Sequence, residues 1–143
     1  MKHLLFLIVL LSCTSILGLS LKPPNADEAG ARQAVEHYFR GHATGDGENF
    51  KKAFHPEAKL FWVRDGQLAQ RTSAEYIAGA SGKPAADEAE RKRLIESIDI
   101  SGNAAMAKVV LDYPHVRFVD YLSLLKIGDE WKIINKTFYA QPK

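Results

Sequence analysis

The chain reads as a single α+β domain in which helices gather against one face of a curved antiparallel sheet, and three features predict it. The first third carries helical periodicity, the last third holds four runs rich in β-branched and aromatic residues, and the links between those runs are short enough to make them antiparallel neighbours. With 143 residues the chain is long enough for one domain that removes about two-thirds of its unfolded surface from water, and too short for two ordinary ones.

The opening residues stand apart from that domain. Lys2 and His3 precede the uncharged run Leu4 to Leu11, and small and polar residues follow from Ser12 to Ser20, which is the layout of a secretory signal peptide over residues 1–20. Residues 21–27 then form a flexible mature N-terminus, because Pro23 and Pro24 disfavour a regular start. Two other readings compete for the same stretch: an uncleaved membrane anchor, weakened by Ser12, Thr14 and Ser15, and lipid attachment at Cys13. The expected location is therefore exported, periplasmic or secreted. Cys13 is the only cysteine, so cleavage beyond it leaves a domain with no disulfide and no thiol chemistry, held by its core alone.

The domain proper is expected over residues 28–141. From Asp27 to His42, Ala31, Ala34, Val35, Tyr38, Phe39 and His42 recur at spacings of three and four, placing them on one helical face, and Asp27 and Glu28 suit its positive N-terminal end. The glycines of "GHATGDG" mark a loop. In "ENFKKAFH", residues 48–55, Phe50, Ala53 and Phe54 form a second short stripe that Pro56 closes. Residues 58–71 carry strand formers on both sides of Asp65-Gly66, a dipeptide suited to the positive backbone angles of a two-residue hairpin. "SAEYIAGA" follows as a third helix with Thr72 or Ser73 as its cap, and "SGKPAADEAE" is a polar loop. The strands "RLIESIDIS", "AAMAKVVLDY", "VRFVDYLSLLKI" and "WKIINKTFY" complete a four-stranded meander.

Charge and spacing exclude several function classes. Removing residues 1–20 takes away one lysine and no acid, leaving 18 basic against 17 acidic side chains, a net of +1. "ERKRL" mixes both signs and offers no basic face, so no nucleic-acid partner is expected. His37 and His42 are five residues apart, turned roughly 140° from each other on a helix, and no metal site or cofactor is expected. "GASGKP" lacks the glycine and the Ser/Thr of a phosphate-binding loop, with Ile77 and Pro84 in their places.

This element order, together with "FRGHATGD", "KKAFHPEAKL", "LDYP" and "DYLSLLKIGDEWKIINKTF", resembles the nuclear-transport-factor-2-like superfamily. Within it the chain is most similar to small bacterial proteins labelled putative lumazine-binding, relatives of the polyketide-cyclase-like group. The resemblance implies a cone: the curved sheet wraps the long first helix and leaves a pocket open at one end. It also implies pairing of two copies through the outer sheet face, and, in catalytic relatives, Asp, His and Tyr on the inner surface of the cone.

Asp120 and Tyr121 point to opposite faces of one strand, so only one of them enters the cone. Two registers remain open across the Gly128-Asp129 turn, one setting Asp120 opposite Thr137 and the other opposite Phe138. Asp120 is the best candidate for a catalytic group, acting as a general base or as a carboxylate that orients a ligand, against the plainer possibility of a structural pair with Lys136, Lys126 or Arg117. Candidate ligand-binding residues are Tyr38, His55, Trp62, Tyr113 and Asp120; His55 also fits a helix cap or a loop hydrogen bond. The expected function is an exported small-molecule-binding protein with an apolar, aromatic pocket suited to a flat aromatic ligand, self-associating as a homodimer and free of the membrane once the leader is cleaved. Two alternatives stand beside it: a dehydratase, isomerase or cyclase using Asp120 with His or Tyr, and a protein-interaction module with no ligand.

Overall fold

A computed structural model describes residues 26–143. The signal-peptide reading, Cys13 and the start of the flexible segment lie outside the described residues. The apolar face read from the sequence forms helix α1 (Ala26–Thr44), which buries Ala31, Ala34, Val35, Tyr38 and Phe39. This helix starts inside the segment expected to be flexible and runs past Gly41. Gly41 is no breaker, because the ring of Phe50 packs so close that a Cβ there would lie 2.5 Å from Phe50 Cδ1. The helix stops instead before Gly45, whose φ of 69° places it in the left-handed region that glycine tolerates best.

Helix α2 (Gly47–Ala53) is capped by Asp46, whose side chain accepts from the Glu48 amide. Strand β1 (Phe54–Arg64) begins directly after it and passes through Pro56, so the proline lies in a strand rather than closing the helix. Asp65 and Gly66, with φ of 51° and 74°, turn the chain into β2 (Gln67–Thr72). Helix α3 (Ser73–Ala78) has Thr72 and Glu75 in a reciprocal capping box. Strands β3 (Lys92–Ser101), β4 (Ala104–Asp112), β5 (Val116–Ile127) and β6 (Glu130–Pro142) follow.

The sheet has six strands in the order β2-β1-β6-β5-β4-β3. It is larger than the expected four-stranded meander because β1 pairs parallel with β6, which joins the hairpin to the later strands. The inner face of this curved sheet covers α1: Leu60, Ala107, Val109, Leu122, Leu124 and Ile133 share one apolar cluster with the buried helix face.

One irregularity in β6 decides what faces inward. Near the turn, Ile127 pairs with Glu130 and Leu124 with Ile133, which is the register of a two-residue loop. Beyond it, Ser123 pairs with Asn135 and Asp120 with Phe138, so Ile134 is the extra residue of a bulge. Each of the two registers left open by the sequence therefore holds on one side of the bulge. Since side chains alternate, the extra residue moves the inward positions from odd to even numbers. Trp131 and Ile133 are buried before it, and Lys136 is buried after it.

Candidate functional site

Alternation along β5 points Phe118, Asp120, Leu122 and Leu124 to the inner face and leaves Tyr121 47% exposed on the outer one. Asp120 is fully buried, and across the sheet the bulge in β6 brings Lys136, 4% exposed, to meet it. Tyr38 of α1 closes a triangle. Lys136 Nζ donates to Asp120 Oδ2 at 2.8 Å and to Tyr38 Oη at 2.5 Å, and Tyr38 Oη donates to the same Asp120 Oδ2 at 2.6 Å. Asp120 Oδ1 is buried without a hydrogen-bond partner among the described residues.

The surroundings of Lys136 are aromatic. Its ammonium lies 4.6 Å from the ring centroid of Phe138, 5.0 Å from Tyr38 and 5.8 Å from Tyr76. Burial pulls its pKa below the ordinary lysine value, and Asp120 opposes that shift through charge and hydrogen bonding. The Tyr38 phenol is pushed well above its ordinary value, first by burial and then by the Asp120 charge, so it keeps its proton. The cost of taking an ion pair out of water often exceeds its Coulombic return, so this pair is weak ground for stability and better ground for use.

Tyr38 and Lys136 form part of the wall of a cavity of about 380 Å³. The rest of the lining comes from Leu60, Trp62 and Arg64 of β1, Arg71 of β2, Tyr76 of α3, His42 of α1, Leu111 of β4, Phe118 of β5, and Phe138 and Ala140 of β6. Trp62 stacks on Phe138 with centroids 5.6 Å apart. The guanidinium groups of Arg64 and Arg71 lie over the Trp62 ring at 5.4 and 5.9 Å, and neither forms an ion pair with another described residue. His42 Nε2 shares a hydrogen bond of 2.8 Å with Tyr76 Oη. Burial, followed by the charges of Lys136, Arg93 and Arg91, holds its imidazole well below the usual value of 6.5, so it is neutral at neutral pH.

The structure thus gathers Tyr38, Trp62 and Asp120 in one region, with Asp120 reached through the two side chains that line the cavity. His55 and Tyr113 are placed elsewhere. His55 Nδ1 accepts from the Glu57 amide at 3.2 Å, a local backbone bond that leaves it outside the cavity wall. Tyr113 is buried against Phe118 and His42 and receives a hydrogen bond from Arg93, so it supports the wall without lining it. Lys136, His42, Tyr76, Arg64 and Arg71 went unassigned as site residues. His42 lies on the apolar stripe of the first helix, which was the available signal for it. Lys136 depends on the bulge, whose trace in the sequence is that apolar residues shift from odd positions, Trp131 and Ile133, to the even position Phe138. No cluster of three or more His, Cys, Asp or Glu that could hold a metal occurs among the described residues.

Comparison with known proteins places this geometry. The model of the family described as "Putative lumazine-binding" matches residues 26–139. Among solved structures, a nuclear-transport-factor-2-like protein of unknown function from Shewanella baltica OS155 is similar with 26% identity and a TM-score of 0.72, covering 80% of this chain and 94% of that one. Another of the same description, from Methylobacillus flagellatus KT, has 29% identity and a TM-score of 0.69 and covers 87% and 99%. Among curated proteins, the aldolase FrzH of Cladobotryum sp is 22% identical over 108 residues, 74% of this chain and 85% of that protein.

Proposed function

Because the chain belongs to the putative lumazine-binding family of nuclear-transport-factor-2-like proteins, we propose that it is an exported protein that binds a flat, largely apolar small molecule in the cavity above Lys136. The observation that carries this reading is the cavity itself: about 380 Å³, within the range of roughly 300–1,000 Å³ usual for ligand sites, with aromatic walls and a single buried cation at its base. A ring system would lie against the stacked Trp62–Phe138 pair, facing Tyr76, with a carbonyl or other acceptor turned to Lys136 Nζ, and Arg64 and Arg71 suit an anionic substituent at the Trp62 end. Pairing of two copies through the outer sheet face, where Met106 and Tyr121 are both 47% exposed, is part of the same reading, with size-exclusion chromatography as its check.

Thermal-shift and calorimetric titration with a panel of bicyclic aromatics, lumazine among them, tests the binding. At least one member raises the melting temperature, and Trp62→Ala abolishes the shift; a panel without effect counts against the cavity as a ligand site. A second reading, an enzyme that moves protons beside a carbonyl, is favoured by the Asp120–Tyr38–Lys136 triangle and by likeness to a protein named an aldolase. In it Asp120 receives the proton by way of the Tyr38 hydroxyl, which lines the cavity and donates to it, and Lys136 stabilises developing negative charge on the carbonyl oxygen.

A further inference from the structure

Lys136 differs from the other lysines with charge partners. Lys51, Lys108, Lys126, Lys132 and Lys143 pair with exposed or half-exposed carboxylates, where water reaches the pair. The side chain of Lys136 is buried, its ammonium lies among the rings of Tyr38, Tyr76 and Phe138, which line the same apolar cavity as Lys136 does, and a carboxylate oxygen lies 2.8 Å away. From this geometry we propose that Lys136 is a nucleophile that joins carbonyl ligands in the cavity as an imine, with Asp120 as its proton carrier. The proposal deepens the binding reading above and rests on it.

The balance of the step closes within the site. The ammonium passes a proton to Asp120, and the free amine attacks the carbonyl carbon, forming a C–N bond. The carbonyl oxygen takes the proton back from Asp120, and the nitrogen gives up another, leaving a neutral carbinolamine and a protonated Asp120. The C–O bond then breaks, the hydroxyl leaves with that proton as water, and the nitrogen lone pair completes the C=N bond. One ammonium and one carbonyl have become one protonated imine and one water, and no oxidant or reductant is required. The charge before and after is the same, a cation on nitrogen beside the Asp120 carboxylate, so the buried pair is preserved instead of being replaced by an isolated charge. Asp120 Oδ1, which is buried without a partner, gives the migrating proton a second resting place. Burial also lowers the lysine pKa, which raises the share of free amine, the form that attacks.

Benzoylacetone is a suitable probe. A lysine amine condenses with its ketone to release water, and the product settles as a conjugated enaminone with a near-ultraviolet band and a stable mass increase, the surplus proton staying on Asp120 so that no isolated charge is left buried. Incubation of the protein with benzoylacetone, followed by intact and peptide mass spectrometry, is expected to give one adduct per chain at Lys136, forming at least about ten-fold faster than at any other lysine. Lys136→Arg keeps a cation beside Asp120 and is expected to remain folded and lose that adduct. Asp120→Asn is expected to slow it. If benzoylacetone raises the melting temperature while Lys136 stays unmodified, the imine is overturned and the binding reading stands. If it neither stabilises the protein nor modifies Lys136, both are overturned.

Discussion

Replacing Lys136 with methionine tests the buried triangle most sharply. Methionine keeps much of the side-chain volume, so the change removes a charge more than it opens a cavity. What remains is Asp120, fully buried, with the hydroxyl of Tyr38 as its only remaining partner in the triangle. Leaving one member of a buried ion pair uncompensated costs about 3–5 kcal/mol, and for a domain of this length that corresponds to a fall in melting temperature of about 10–20 °C. Adding Asp120→Asn removes the orphaned charge and restores a large part of the loss. Urea unfolding and thermal melts of the two single variants and the double variant give the interaction energy as a double-mutant cycle. A Lys136→Met protein melting within about 2 °C of the parent would refute the reasoning, since it would mean that the pair is not desolvated.

Other expectations follow from the same geometry. His42 has a folded pKa well below the usual 6.5, so on acidification the unfolded chain takes up the proton first and stability falls as the pH drops below 6.5. His42→Gln should therefore lose less stability than the parent between neutral and mildly acidic pH, as read from urea midpoints, and an equal loss in both proteins would exclude this histidine as the cause. Deletion of Ile134 removes the bulge and forces one side of β6 to reverse its faces, expelling either Trp131 and Ile133 or Lys136 and Phe138. Loss of soluble protein or a severe drop in melting temperature is expected, and a deletion variant of parental stability would contradict the register. Gly41→Ala places a Cβ 2.5 Å from Phe50 Cδ1, and the overpacking cost of about 1–3 kcal/mol exceeds the helix-propensity gain of up to about 1 kcal/mol, so the variant should melt lower despite its better helix former.

The sequence disclosed the layout more readily than the site. Periodicity on α1, the Asp65-Gly66 turn and strand composition near the C-terminus each rest on local chemistry, and each element lies close to where that chemistry puts it. The parallel β1-β6 pairing joins residues more than seventy positions apart and leaves no local mark. Asp120 could be narrowed to one of two faces by alternation, whereas Lys136 could not, because a single extra residue at Ile134 reverses which side of the strand it occupies. His55 shows the opposite failure. Its neighbour Pro56 suggested a helix end, yet the helix stops at Ala53 and the imidazole is spent on a local backbone amide.

Nitrogen-15 spectra of the lysine side chains across a pH titration test most directly whether a desolvated ammonium sits at the base of the cavity. The signal assigned through Lys136→Arg should lose its proton at lower pH than the surface lysines and should shift when a bicyclic aromatic is added. A Lys136 signal that titrates with the surface lysines and ignores every such compound would contradict the account.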